Sequence, residues 1–99
     1  MKKILLWGAG KCYKEQYERL QRLIKKNNIE VMALINREGE PKVIDGYHVI
    51  AKDKIVTYEY DKIIITADEI EAQSIRNDAK ELNIDEEKLM EIWLFLDLF

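Results

Sequence analysis

Cysteine and histidine, the side chains that most often build disulfides, zinc sites and activated nucleophiles, occur once each, as Cys12 and His48. An internal disulfide and a multi-cysteine metal centre are therefore excluded, and this pair assembles neither a metal set nor a nucleophile with its base. A chain without disulfides suits a reducing compartment, so the cytoplasm is the expected location. Proline is equally scarce: Pro41 stands alone, and no internal repeat or low-complexity stretch interrupts the sequence. Nor is there a basic block. Lysines and acids are interspersed to a net charge of -3, which gives no electrostatic reason to expect a nucleic acid or a membrane surface as partner. The apolar run after Lys2 and Lys3 is about as long as a strand, far below the ~18 residues of a membrane span, so no membrane insertion is expected.

What the chain does have is a soluble globular composition, 47% apolar and 35% charged over 99 residues. That is one domain, with a single modest core, and it is short for a complete dinucleotide enzyme. Any catalytic domain is expected elsewhere, with these residues a fragment of a longer protein.

The organising stretch is Lys3-Ile4-Leu5-Leu6-Trp7-Gly8-Ala9-Gly10-Lys11-Cys12-Tyr13. A continuous apolar run suits a strand buried on both faces, as in a parallel sheet, and Gly-x-Gly then opens directly into a helical pattern. Gly8 can adopt the angles of a sharp reversal, and Gly10 leaves no Cβ between the backbone and an approaching group. Tyr13, Tyr17, Leu20 and Ile24 form one face of a helix that Asn27-Asn28 stops. Ile29 to Ile35 is a second buried strand, which makes a right-handed βαβ unit. Asn36 to Lys42 is a polar loop. Val43 to Ile50 holds an Asp-Gly turn signal, with its second half read as a short strand. Ala51 to Tyr60 reads as an irregular crossover or degraded helical turn. Lys62 to Thr66 is another buried strand, and Asp68 with Glu71 matches a capping box opening a helix to about Asn83. Leu89 to Trp93 reads as an edge strand. The pattern predicts an α/β fold in three layers: a parallel sheet of about five strands in the order 3-2-1-4-5, with helices from Cys12 and from near Glu69 on opposite faces.

Lys3–Tyr13, Ala33–Asn36, Ile44–Val49 and Tyr60–Ile65 together resemble the Rossmann-like nucleotide-binding domain at the front of many bacterial polysaccharide-biosynthesis and sugar-nucleotide-modifying proteins. The resemblance covers nearly the whole chain. It implies a nucleotide, nucleotide-sugar or dinucleotide such as NAD(P) held at the glycine turn, commonly without catalysis in that domain. Tyr13 stands where the fingerprint has its third glycine. The acid that binds a ribose hydroxyl falls about 20 residues past the motif, and Asn36 occupies that place with an amide in lieu of a charge.

The expected ligand-binding set is therefore Gly8, Ala9, Gly10, Lys11, Cys12 and Tyr13 around a phosphate, Asn36 and Arg37 near a ribose, and Ala67 and Asp68 on the far side. Arg37 either meets a 2′-phosphate or faces solvent, as loop arginines ordinarily do. Lys11 lacks the spacing of a P-loop lysine. Cys12, at a helix start, is either a thiol of lowered pKa or a quiet one. His48 reads as structural or exposed, and the scattered carboxylates as solvated surface, so no catalytic residue and no metal ligand is assigned. Leu94 to Phe99 is apolar enough to dock on its own domain, on a second copy or on a neighbouring catalytic domain. Two other readings stay open: an interaction scaffold that has lost its ligand, and a fragment of an NAD-linked oxidoreductase or epimerase.

Overall fold

The computed structural model describes residues 2–98, the side chain of Arg37 excepted. Strand β1 (Lys3–Trp7) lies between β2 (Glu30–Ile35) and β5 (Lys62–Ile65), parallel to both. Its central place follows from its composition: Ile4, Leu5 and Leu6 are fully buried, and only an interior strand can hide successive side chains on both faces. Strand β4 (Tyr47–Ile50) pairs parallel with β2, and β6 (Leu89–Glu91) parallel with β5.

A further strand, β3 (Val43–Ile44), pairs antiparallel with β4 through Asp45 and Gly46. Both turn residues have positive φ, 52° and 83°, the backbone of a two-residue hairpin turn matched to strand twist. The sheet is thus mixed and six-stranded, in the order β3-β4-β2-β1-β5-β6. This corrects the expected five parallel strands in the order 3-2-1-4-5. The count and order change because the Asp-Gly turn pairs both of its flanks, so the segment before it adds an edge strand.

Helix α1 (Lys11–Lys26) and helix α2 (Glu69–Glu81) cover the sheet. Ile4, Leu6, Leu34, Val49 and Ile64 point to the α1 side and pack with Tyr13 and Leu20. Leu5, Trp7, Ile35, Ile63 and Ile65 point to the other side and pack with Ala72, Ile75 and Ala79 of α2. Alternation along each strand therefore feeds two cores, one per face. Asn28 with φ 53° stops α1, and Asn83 with φ 59° follows α2; asparagine is among the few residues that tolerate such angles.

The crossover from Ala51 to Tyr60 contains a 3-10 turn, Lys52–Thr57, whose Ile55 is fully buried on the α2 side. The expected edge strand to Trp93 is shorter. It ends at Glu91, and α3 (Ile92–Asp97) follows, because Ile92, Phe95 and Leu96 have the spacing of a helix face and are buried on the α1 side. Phe95 and Leu96 of the apolar tail therefore dock on their own domain, while Trp93, Leu94 and Leu98 remain exposed; Phe99 lies outside the described residues. No helix among the described residues is long and apolar enough to cross a membrane.

Candidate functional site

The ends of β1, β2 and β5 meet at one edge of the sheet. Gly8 there has φ 122°, and a Cβ on it would stand 2.8 Å from the carbonyl oxygen of Thr66. Its N–H donates to Ile35 at 3.0 Å, Thr66 N–H donates to Trp7 at 3.0 Å, and the Thr66 hydroxyl donates to the Gly8 carbonyl. The turn is thus bolted to both neighbouring strands by backbone that only glycine can supply. Ala9 is half-buried and packs on the α1-side core.

Gly10 differs from Gly8. Its φ of -84° suits any residue, and an added Cβ would meet nothing within 4 Å. It is the N-cap of α1, with no side chain capping the helix and no acid in the first turn. The N–H groups of Lys11, Cys12 and Tyr13 consequently have no intrahelical acceptor, and the positive end of the helix dipole faces outward. Helix α2 begins otherwise. Asp68 caps it, accepting from Glu71 N–H at 2.9 Å, and Glu69 and Glu71 place carboxylates in its first turn.

Beside the start of α1 lies a cleft of about 260 Å³, lined by Lys11, Cys12, Glu15 and Gln16 of α1, by Asp68 and Glu71, and by Trp93 of α3. Burial, and then the charges of Glu15, Asp68 and Glu71, push the Cys12 thiol above its ordinary value. Burial and the neighbouring carboxylates both favour the protonated thiol, the direction of a quiet cysteine rather than of an activated nucleophile. The cleft thus brings the uncapped start of α1 together with the carboxylates of Asp68 and Glu71 and the indole of Trp93.

Tyr13, where a third glycine was expected, points inward. It is 1% exposed, and its hydroxyl donates to Asp45 Oδ2 at 2.8 Å. Asn36 does not reach the cleft. Its Nδ2 donates to the Glu40 carbonyl at 2.8 Å and its N–H to Ile50 at 3.1 Å, so the amide holds its own loop in shape. The Arg37 side chain lies outside the described residues, although its backbone opens the short 3-10 turn Arg37–Gly39. Ala67 is 1% exposed and belongs to the α2-side core, which leaves its methyl out of reach. His48 is exposed on β4.

The structure therefore gathers Lys11, Cys12 and Asp68 of the expected set next to the Gly8–Tyr13 turn, and separates Asn36 and Ala67 from them. It adds Glu15, Gln16, Glu71 and Trp93. Glu15 and Gln16 follow Lys11 and Cys12 at the spacing of four that puts helix residues on one face, a signal present in the sequence. Trp93 carried no such signal while its segment read as a strand.

A family model described as "C2185-like, N-terminal" matches residues 1–90. No curated protein matches the sequence.

Proposed function

The chain belongs to the C2185-like, N-terminal family, and we propose that it is a Rossmann-like binding module for a nucleotide-sugar or kindred nucleotide, serving surface-polysaccharide biosynthesis in the cytoplasm without catalysis of its own. The observation that carries this reading is the contrast between the two helix starts at one sheet edge. Helix α2 has a side-chain cap, Asp68 on the Glu71 N–H, and carboxylates in its first turn, whereas α1 has neither and leaves the N–H groups of Lys11, Cys12 and Tyr13 to a group from outside. A phosphate supplies both the charge and the acceptor oxygens that this end of α1 lacks.

The remainder of the cleft selects among phosphates. Glu15, Asp68 and Glu71 outnumber Lys11 in its lining, so a bare polyanion would be repelled. Sugar hydroxyls, in contrast, donate hydrogen bonds that carboxylates accept. The half-exposed Trp93 ring gives a base or a sugar face an apolar platform. NAD(P) is the poorer fit, because Asn36 is already engaged with Glu40.

Calorimetry and amide chemical shifts with UDP-sugars, NAD(H), NADP(H), CoA and inorganic phosphate test the proposal. Binding of a UDP-sugar with shifts centred on Lys11, Cys12 and Tyr13 is expected. Absence of any binding at millimolar concentration retires this reading in favour of an interaction scaffold. That second reading has its own support in the exposed Trp93, Leu94 and Leu98, a surface on which a second copy or a neighbouring catalytic domain would sit.

A further inference from the structure

The β3–β4 hairpin touches α1 through two side-chain hydrogen bonds at different heights along the helix. Near the start of α1, the Tyr13 hydroxyl donates to Asp45 Oδ2 at 2.8 Å. Two turns further along, the Tyr47 hydroxyl donates to Gln21 Oε1 at 2.8 Å. The residues involved on α1 are separated by about 12 Å of helix axis. Two fixed points on a rigid rod determine its tilt as well as its position.

These two contacts are unequal. The upper one ends on a carboxylate, which makes it a charge-assisted bond, and its donor ring is clamped in the core and edge-on to Tyr17 at 5.8 Å. Asp45 itself stands, exposed, in the two-residue turn of the hairpin, where it and Gly46 both adopt positive φ. The lower contact leaves Gln21 Nε2 buried without a partner, and an unmatched buried donor offsets much of what the bond contributes. Tyr13 is also the residue whose own N–H is among the free donors at the start of α1, so a displacement of its ring displaces the donors directly.

We infer that Asp45, acting through Tyr13, is a positioning residue of the anion-receiving turn, and that this pair does from the hairpin what the missing third glycine does by close packing elsewhere. As a statement about ligand affinity it rests on the phosphate reading above; as a statement about where the α1 donors sit it does not. The hairpin thereby joins a sheet edge to the cleft, although neither Asp45 nor Tyr13 lines that cleft.

The decisive variant is Asp45→Gly, which suits the left-handed backbone while removing the acceptor. It is expected to move the Lys11 and Cys12 amide resonances in the ligand-free protein and to weaken UDP-glucose binding on the order of threefold to tenfold, the range covered by one hydrogen bond. Asp45→Asn keeps a side-chain oxygen and should restore both readouts. Tyr47→Phe removes the lower contact and should leave the Lys11 and Cys12 amides in place even where melting falls. Unmoved Lys11 and Cys12 amides in Asp45→Gly, or an equal movement in Tyr47→Phe, would overturn the inference. If no ligand binds the unmodified protein, the phosphate reading fails by itself, and the amide positions still decide whether the hairpin sets the turn.

Discussion

The missing Cβ of Gly8 and the backbone of Thr66 occupy the same space: built in, it would lie 2.8 Å from the Thr66 oxygen. Gly8→Ala thus faces two costs, a φ of 122° that L side chains rarely adopt, and a collision with the Thr66 backbone just past strand β5 rather than with a flexible side-chain end. Backbone strain and overpacking each cost about 1–3 kcal/mol. Urea unfolding should place the variant roughly 3 kcal/mol or more below the unmodified protein. A loss within about 0.5 kcal/mol, the scale of ordinary surface changes, would mean that the turn is not built as described.

Gly10 predicts the opposite. With open space above its Cα and a φ of -84°, Gly10→Asp should fold, cap α1 and gain from a few tenths to about 1 kcal/mol through the cap and the helix dipole. The same carboxylate would occupy the free N–H groups and repel a phosphate. Melting temperature should therefore rise while UDP-sugar affinity falls. Gly10→Val should fold as well and block approach by bulk alone. A Gly10→Val protein that binds like the unmodified one would move the ligand elsewhere.

How much of this was legible depends on whether a feature is written locally. The strand at Lys3–Trp7, the helix behind it and the Asp68 cap are local patterns of period, apolar run and turn chemistry, and each lies where the sequence put it. Strand β3 was not legible, since two residues carry no period and their pairing depends on where the Asp45–Gly46 turn aims them. Likewise Trp93 joined the cleft only because β6 stops at Glu91 and α3 turns away, a choice made by burial of Ile92, Phe95 and Leu96 rather than by strand propensity. Asn36 shows the converse limit. Its place past the motif was readable, whereas the Glu40 carbonyl that occupies its amide was not.

The two sides of α3 make separate predictions. Phe95 is fully buried on the α1-side core, so Phe95→Ala should cost about 3–5 kcal/mol by lost transfer energy and a cavity. Leu98 is 56% exposed, and Leu98→Ser should change the stability of an isolated domain by less than about 0.5 kcal/mol. Light scattering on the Leu98→Ser protein adds the test of the surface. If the unmodified chain is an oligomer and the variant a monomer, the exposed side of α3 is its interface; if both have one size, this residue is not part of one.

Asp61 and Tyr13 should each contribute to the dependence of stability on pH, one on the acid side and one, with Cys12, Tyr47 and Tyr60, on the alkaline side. Hydrogen bonds from the Lys3 and then the Lys2 backbone N–H hold the Asp61 carboxyl below its ordinary 3.8. A carboxylate depressed in the folded state contributes stability that is present above 3.8 and lost as pH falls through the folded value. Asp61→Asn should therefore flatten the acid limb. Tyr13 acts at the other end. Burial, and then the bond to Asp45, push its phenol well above its ordinary 10.0. The unfolded chain then releases that proton at a lower pH than the folded one, so the contribution is whole below 10.0 and declines as pH rises further. Tyr13→Phe cannot ionise, and although it should be less stable at neutral pH for want of the Asp45 bond, its alkaline limb should be shallower. Chemical denaturation followed from neutral pH to above 11 reads this directly, since a parallel decline in Tyr13→Phe and the unmodified protein would assign the alkaline limb to another group.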